Sequence, residues 1–332
     1  MSTMTTTPDL VPRDVLALAD TAEQRYHVYP LISGRRNKKK RWIEAPDVDL
    51  KSAQRWLLDN LLYRLLPTTY AHGFVRGRSI LSNASRHVGR RFVVTTDIRD
   101  FFPSITSAQV NDALQPLGLT ATTRHAVVRL LTRRGQLPQG APTSPHMANL
   151  VAQRLDLRLS GLARHHGWTY SRYADDLTFS TIARSPHGPS TGAPIVPTTH
   201  FTAPNQLLMR IEQIVVDENF RLARNKTHVM SHHHRQTVTG LVVNRRVALP
   251  RLKRRVLRAM LHRLKTTGPD SLDPHDLQVA QGHFSLAQFV DPAGYSDACQ
   301  QLSTLFHLML RTKEDANSRN SDVPVAGPRQ PG

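Results

Sequence analysis

The chain has 332 residues, with 44 Lys+Arg against 25 Asp+Glu, a formal net charge of +19 and a pI of about 11.0. At 39% hydrophobic and 21% charged it can bury a core, which excludes wholesale disorder, and it has no run of ~18 uncharged apolar residues, which excludes a membrane-spanning helix. A single cysteine, Cys299, excludes an internal disulfide and a cysteine zinc cluster, and residues 1–12 lack an apolar signal core, so a cytoplasmic location with no membrane partner is expected.

So large an excess of positive charge suits a polyanion, and nucleic acid is the commonest one. Residues 1–24 read as a helical extension. Beyond them the basic residues cluster. Arg35, Arg36, Lys38, Lys39, Lys40 and Arg41 follow Gly34 and precede the strand-like Arg41-Trp42-Ile43, which predicts a basic hairpin tip. Residues 51–66 predict an amphipathic helix bearing Trp56, Leu57, Leu61 and Leu65, stopped by Pro67. Residues 91–98 are β-branched and predict a strand. Residues 145–159 predict a helix with Ala148, Val151, Ala152, Leu155 and Leu159 on one face, and 168–180 a strand–turn–strand.

Residues 185–204 are rich in Pro, Gly, Ser and Thr and read as a long surface loop, an insertion over 182–206. Residues 235–244 return to strand. His232-His233-His234 reads as a solvated or RNA-facing stretch and not a metal site, because consecutive side chains on a strand face opposite ways. From Pro250 a helix carries an apolar stripe of Leu252, Val256, Leu257, Met260, Leu261 and Leu264, with Arg251, Arg254, Arg255, Arg258 and Lys265 on its other faces. A solvated helix normally mixes signs, so an all-basic surface favours a phosphate track. Residues 312–332 are polar, with Pro and Gly, and read as a disordered tail; Cys299 reads as a small packed residue of a helix. The whole is α+β, followed by a helical C-terminal part.

Three carboxylates carry the chemistry. Asp97 ends an apolar strand, and Asp175-Asp176 sit at the turn of an apolar hairpin in Tyr173-Ala174-Asp175-Asp176. Adjacent acids repel, and only protons or cations relieve them. With Asp97 beside them they would form a pocket for two Mg²⁺ ions, which take oxygen ligands and can activate a 3′-hydroxyl while stabilising a leaving pyrophosphate.

The neighbours make the pattern specific. Asp97 precedes Phe101-Phe102-Pro103-Ser104-Ile105. Then come Leu137-Pro138-Gln139-Gly140-Ala141-Pro142-Thr143-Ser144-Pro145 and Tyr173-Ala174-Asp175-Asp176-Leu177-Thr178-Phe179-Ser180. In this order they resemble the catalytic core of a reverse transcriptase, over roughly residues 25–310. The resemblance implies a right-hand architecture: fingers over 25–91, palm over 92–247 with interleaved fingers helices, thumb over 248–311. It implies that Asp97 and Asp175 are the principal metal ligands and Asp176 a supporting carboxylate of the same site. Phe102 would be the steric gate that excludes a 2′-hydroxyl, and Phe101 a core residue on the opposite strand face. Gln139-Gly140 would pack on the incoming dNTP, Arg41 would meet its triphosphate, and Lys226, in Asn225-Lys226-Thr227, would lie near the departing pyrophosphate as a general acid. Lys38, Lys39 and Lys40 would touch template.

Two further segments narrow the resemblance. His72-Gly73-Phe74, Gly77-Arg78-Ser79-Ile80 and Asn83-Ala84-Ser85-Arg86-His87, followed later by Val238-Thr239-Gly240, resemble elements of retron reverse transcriptases. That group's behaviour implies binding of a cognate structured noncoding RNA through Asn83, His87, Val238, Thr239, Gly240 and the basic helix at Arg251, Arg254, Arg255 and Arg258. It implies priming from an internal 2′-hydroxyl, copying of part of the RNA into single-stranded multicopy DNA, and a role in antiphage defence with a separate effector protein. No RNase H domain fits the sequence, so a host RNase H is expected to remove RNA from the product. Two alternatives stay open: another bacterial reverse transcriptase of intron, diversity-generating or abortive-infection type, and a catalytically silent RNA-binding scaffold.

Overall fold

The computed structural model describes residues 10–33, 39–181, 204–267, 274–295, 300 and 304. The basic hairpin tip at 34–38 (with Lys38), the expected insertion up to residue 203, Cys299 and the expected tail lie outside the described residues.

Helix α1 (Arg13–Ala17) and two 3-10 turns bury Val15, Ala19 and Ala22. Strands β1 (Tyr26–Ser33) and β2 (Lys39–Pro46) then pair antiparallel, with Tyr26 opposite Pro46 and Leu31 opposite Arg41. Helix α2 (Val48–Asn60) begins three residues earlier than its apolar pattern predicts, because the Asp47 carboxylate accepts the Leu50 amide as an N-cap. It also ends earlier. The chain tightens into a 3-10 turn over Leu62–Arg64, where the His146 ring nitrogen Nε2 bonds the carbonyls of Leu62 and Leu65.

Helix α3 (Ile80–Ser85) starts on a capping box between Ser79 and Ser82. Strand β3 (Phe92–Asp97) is followed by α4 (Ser107–Ala113), capped by Thr106 and Gln109, and α5 (Ala121–Leu131). The single helix expected over 145–159 is two, α6 (Ser144–Val151) and α7 (Gln153–His165), bent at Ala152, whose ψ is 5°. The bend lets α6 bury nearly every side while α7 presents one stripe of Leu155, Leu159 and Ala163 to the core.

Strands β4 (Trp168–Tyr173) and β5 (Asp176–Thr181) form the expected hairpin. Helix α8 (Pro204–Asp217) and strand β6 (His228–Ser231) complete a four-stranded antiparallel sheet in the order β4-β5-β3-β6. The three consecutive histidines lie in the turn after β6 and not on a strand, and all are exposed, with the rings of His232 and His233 stacked at 3.7 Å. The strand expected over 235–244 reduces to β7 (Thr237–Val238) and β8 (Leu241–Val242), because Thr239 and Gly240 both take positive φ and turn the chain.

Internal contacts divide the chain near residue 240. The first unit runs through Thr239 and includes Val243–Arg246; its core gathers α1, α2 and α4 to α8 about the sheet. The second comprises Gly240–Val242 and the chain from Val247 on, with α9 (Arg251–Thr267) and α10 (Pro274–Val290). On α9 the expected apolar stripe is unevenly covered: Leu257 is buried and Met260 and Leu261 are half-buried, while Leu252 and Val256 are exposed. Arg251, Arg254, Arg255 and Arg258 are all solvent-exposed, as the charge pattern predicts. Among the described residues no helix is long and apolar enough to cross a membrane. The fold class is α+β, as expected.

Candidate active site

The sheet register brings the acids together. Strand β3 pairs with β5 so that Asp97 lies opposite Asp176, and the Ile98 amide donates to the Asp175 carbonyl at 2.9 Å. Between Tyr173 and Asp176 the hairpin closes through a two-residue turn, Ala174-Asp175. Ala174 takes φ +56°, a conformation glycine normally supplies, at a cost of about 1–3 kcal/mol for a side chain. The turn is therefore held from outside. Arg172 Nη1 donates to the Ala174 carbonyl at 3.0 Å, and Gly73 lies so close that a Cβ there would stand 2.4 Å from the Ala174 nitrogen.

Asp97 and Asp175 line an open cleft of about 920 Å³, together with Arg41, Phe74, Phe102, Gln139 and Lys226. Burial and the negative charge of Asp97 raise the Asp175 pKa, which Lys226 and Arg41 partly offset. Burial, then the charges of Asp175 and Asp97, push Asp176 up to about 7. Lys226, on the 3-10 turn Arg224–Lys226, places its ammonium 2.7 Å from Asp97 Oδ1, and this bond raises the lysine pKa. So dense a set of acids is relieved by a cation.

The donor chemistry fits Mg²⁺. Asp97 and Asp175 face the cleft, with Asp100 at its edge paired to Arg99, and among the described residues no three His, Cys, Asp or Glu side chains close a protein-only cage. Mg²⁺ suits such a site, since it keeps waters and substrate phosphates beside one or two carboxylates. Asp176 is not among the residues lining the cleft; it lies opposite Asp97 across the β3–β5 pairing, and Asp97 helps to raise its pKa.

Other expected residues fall in several places. Phe102 is half-buried at the cleft, facing Phe74 at 6.0 Å, while Phe101 is buried, as expected. The two sit in a turn, however, and not on opposite faces of a strand. Gln139 lines the cleft, but its carbonyl accepts the Glu44 amide of β2 at 2.9 Å. Gly140 takes φ +140°, and a Cβ there would stand 2.8 Å from the Glu44 carbonyl oxygen, so β2 already requires glycine here, while the residue itself stays exposed. Arg41 reaches the cleft from β2. Lys40, its neighbour on the opposite hairpin face, covers the Trp42 ring at 4.3 Å; of Lys39 only the strand position is described.

Three expected RNA contacts are corrected. Asn83 and His87 are fully buried: Asn83 Oδ1 accepts from Ser171 Oγ at 2.6 Å, and the His87 ring nitrogens bond Ser171 and Ser180, each at 2.7 Å. Burial, then neighbouring arginines, drive the His87 pKa down to about 3, so the ring is neutral. Val238 is buried too, and Thr239 Oγ1 donates to the Ile80 carbonyl at 3.1 Å; only Gly240 of that trio is exposed. These residues bind the protein to itself, in a site built for polar side chains without water.

The sequence reading missed Phe74, whose φ of +60° was not legible, and the buried set of Asp156, Arg172 and Asn149 behind the turn. An Arg-Tyr pair just ahead of Ala174-Asp175-Asp176 was a usable signal, since an arginine at an inward position of an apolar strand demands a partner.

An antiparallel sheet that sets an aspartate at a strand end against an Asp-Asp hairpin, with a basic and aromatic cleft in front, defines a nucleotidyl-transferring palm. The family model described as reverse transcriptase (RNA-dependent DNA polymerase) matches residues 33–243. The retron Mx162 reverse transcriptase of Myxococcus xanthus is 40% identical over 296 residues, covering 82% of this chain and 59% of the relative. The retron Mx65 reverse transcriptase of the same organism is 40% identical over 240 residues, 67% of this chain and 52% of the relative. The retron Ec86 reverse transcriptase of Escherichia coli is 33% identical over 245 residues, 74% of this chain and 71% of the relative. The chain thus belongs to the reverse transcriptases, with their right-hand polymerase fold, and within them to the retron group. It spans little more than half the length of the two Myxococcus relatives.

Proposed function

We propose that this chain is an RNA-directed DNA polymerase that copies part of a cognate structured noncoding RNA into single-stranded multicopy DNA. The observation that carries the reading is the cleft in which Asp97 and Asp175 face Arg41, Phe102, Gln139 and Lys226. Asp97 and Asp175 would hold two Mg²⁺ ions, which would supply Lewis acidity for the reaction. Asp176, opposite Asp97 in the sheet register, adds negative charge to the same site. The primer hydroxyl gives its proton to solvent as its oxygen attacks the α-phosphorus of a dNTP, the bond to the bridging oxygen of pyrophosphate breaks, and Lys226 holds a proton for that leaving group. Arg41 neutralises the triphosphate, and Phe102 closes the space a 2′-hydroxyl would need.

Fingers over 25–91, palm over 92–247 and thumb over 248–311 assign these parts, and the division of contacts near residue 240 supports the last boundary. The exposed arginines of α9 track RNA phosphates. Priming from an internal 2′-hydroxyl, a cytoplasmic location, a separate effector protein in antiphage defence and removal of template by a host RNase H complete the reading, supported by likeness to the retron relatives.

The test is dNTP incorporation with Mg²⁺ on RNA that copurifies with the chain. Wild type should extend, and Asp175→Asn with Asp176→Asn should bind the RNA without extending it. Equal extension by both would overturn the assignment of the acids, and RNA binding without synthesis by wild type would favour the silent scaffold.

A further inference from the structure

Next to the Ala174-Asp175 turn sits a fully buried arginine, Arg172. Arg172 and Asp156 are both fully buried and pair through two bonds, Nε to Oδ1 at 2.7 Å and Nη2 to Oδ2 at 2.8 Å. Tyr170 Oη and Thr68 Oγ1 donate to the same carboxylate at 2.8 and 2.6 Å, so its lone pairs are well occupied. Burial opposes the guanidinium charge, but Asp156 outweighs it, and the Arg172 pKa lies above its ordinary value.

The remaining Arg172 nitrogen works elsewhere. Nη1 donates both to the Ala174 carbonyl at 3.0 Å and to Asn149 Oδ1 at 2.9 Å. Asn149 in turn donates through Nδ2 to the Gly73 carbonyl at 2.9 Å. Gly73 precedes Phe74 at the cleft and abuts the Ala174 backbone. The guanidinium also lies over the Phe101 ring at 5.7 Å, next to Phe102. One buried fork therefore reaches the turn that carries Asp175 and, through one amide, the loop that carries Phe74.

A fork of this kind is more than an ion pair needs. A buried Arg–Asp pair adds little net stability over well-packed apolar side chains, so its retention calls for another role. The turn it holds is strained at Ala174, and a strained turn persists only when its surroundings over-determine it. Only a planar guanidinium can make the two bonds to Asp156 and the two from Nη1 at once.

We propose that Arg172 and Asn149 are positioning residues that lock the Asp175 turn and the Phe74 loop into one register, so that metal ligand and nucleotide wall move as a unit. The proposal rests on the polymerase reading of the cleft.

Three full-length variants test it: Arg172→Lys, Asn149→Ala and Asn149→Asp. The last still accepts from Arg172 but cannot donate to Gly73. Each is compared with wild type for thermal melting, primer–template affinity, kcat and KM for dNTP, and the Mg²⁺ concentration giving half-maximal rate. Arg172→Lys and Asn149→Ala should melt cooperatively and bind primer–template as wild type does, while kcat falls about 10²-fold and the Mg²⁺ requirement rises, as a misplacement of about 1 Å at a reacting group predicts. Asn149→Asp should change KM for dNTP more than the Mg²⁺ requirement, because it frees only the Phe74 side. Folded variants with wild-type kcat and Mg²⁺ requirement would overturn the proposal. So would an Asn149→Ala chain that fails to fold, since it leaves the ion pair intact and would show the amide to be structural. An inactive wild type would instead sink the polymerase reading.

Discussion

The ammonium of Lys226 stands 2.7 Å from Oδ1 of Asp97, occupying a carboxylate that a metal ion needs. Under the proposed function, lysine and metal would compete for that oxygen before nucleotide arrives. Lys226→Met should tighten Mn²⁺ binding to the nucleotide-free chain severalfold, read by titration calorimetry, while dNTP incorporation falls by about 10²-fold with the loss of the proton donor. No change in either quantity would remove Lys226 from the site.

Phe102 faces Phe74 across the cleft at 6.0 Å. Replacing Phe102 by Ala opens the space beside the sugar, and the ratio of dNTP to rNTP incorporation should fall by about tenfold or more, on the scale of a single pocket contact. Unchanged discrimination would refute the gate.

Gly140→Ala places a Cβ 2.8 Å from the Glu44 carbonyl at a φ of +140°. Strain of about 1–3 kcal/mol plus the clash should loosen β2, which carries Arg41. The expected result is a raised KM for dNTP with a lowered melting temperature; a wild-type KM would show that Arg41 does not depend on this contact.

His87 is buried neutral, with its pKa lowered from 6.5 to about 3. The unfolded chain then binds a proton that the folded chain refuses, so this ring's contribution to stability is whole above pH 6.5 and is lost as pH falls toward 3. Urea melts over that range should show stability dropping with acid, and His87→Gln should lessen the slope. Asn83→Ala should likewise lower stability and leave RNA affinity unaltered, as expected of a core amide and not of an RNA contact.

The exposed arginines of α9 should behave differently. Replacing Arg254 and Arg258 by Gln should weaken RNA binding evenly across sequences and reduce the slope of log affinity against log salt by about one per arginine. An unaltered slope would take the helix off the phosphate track.

Much of the site was legible because its motifs are local. Tyr173-Ala174-Asp175-Asp176 is a hairpin turn in sequence and in space, and the β-branched run before Asp97 folds as the strand its composition predicts. The misreadings came from contacts far apart in sequence. Asn83 and His87 look like polar residues free for RNA until Ser171 and Ser180 arrive from β4 and β5 to bond the His87 ring and the Asn83 oxygen. That β2 needs a glycine at position 140 is likewise hidden until Glu44 is found against it. The extended helix expected up to Leu66 ends early because His146, some eighty residues on, takes the carbonyls of the 3-10 turn.

A net charge of +19 with an Asp97 strand and an Asp-Asp turn already determines, from residues alone, a basic protein with a cation-demanding acidic centre. Charge, periodicity and turn chemistry are properties of neighbours along the chain, so they survive without a fold. The tertiary structure alone decided that Asp97 and Asp175 face the cleft while Asp176 stands behind, and that a buried Arg172 grips the strained turn. Those outcomes depend on strand register and on which polar groups meet away from water, and a partner brought from a distant segment leaves no periodic trace in the sequence.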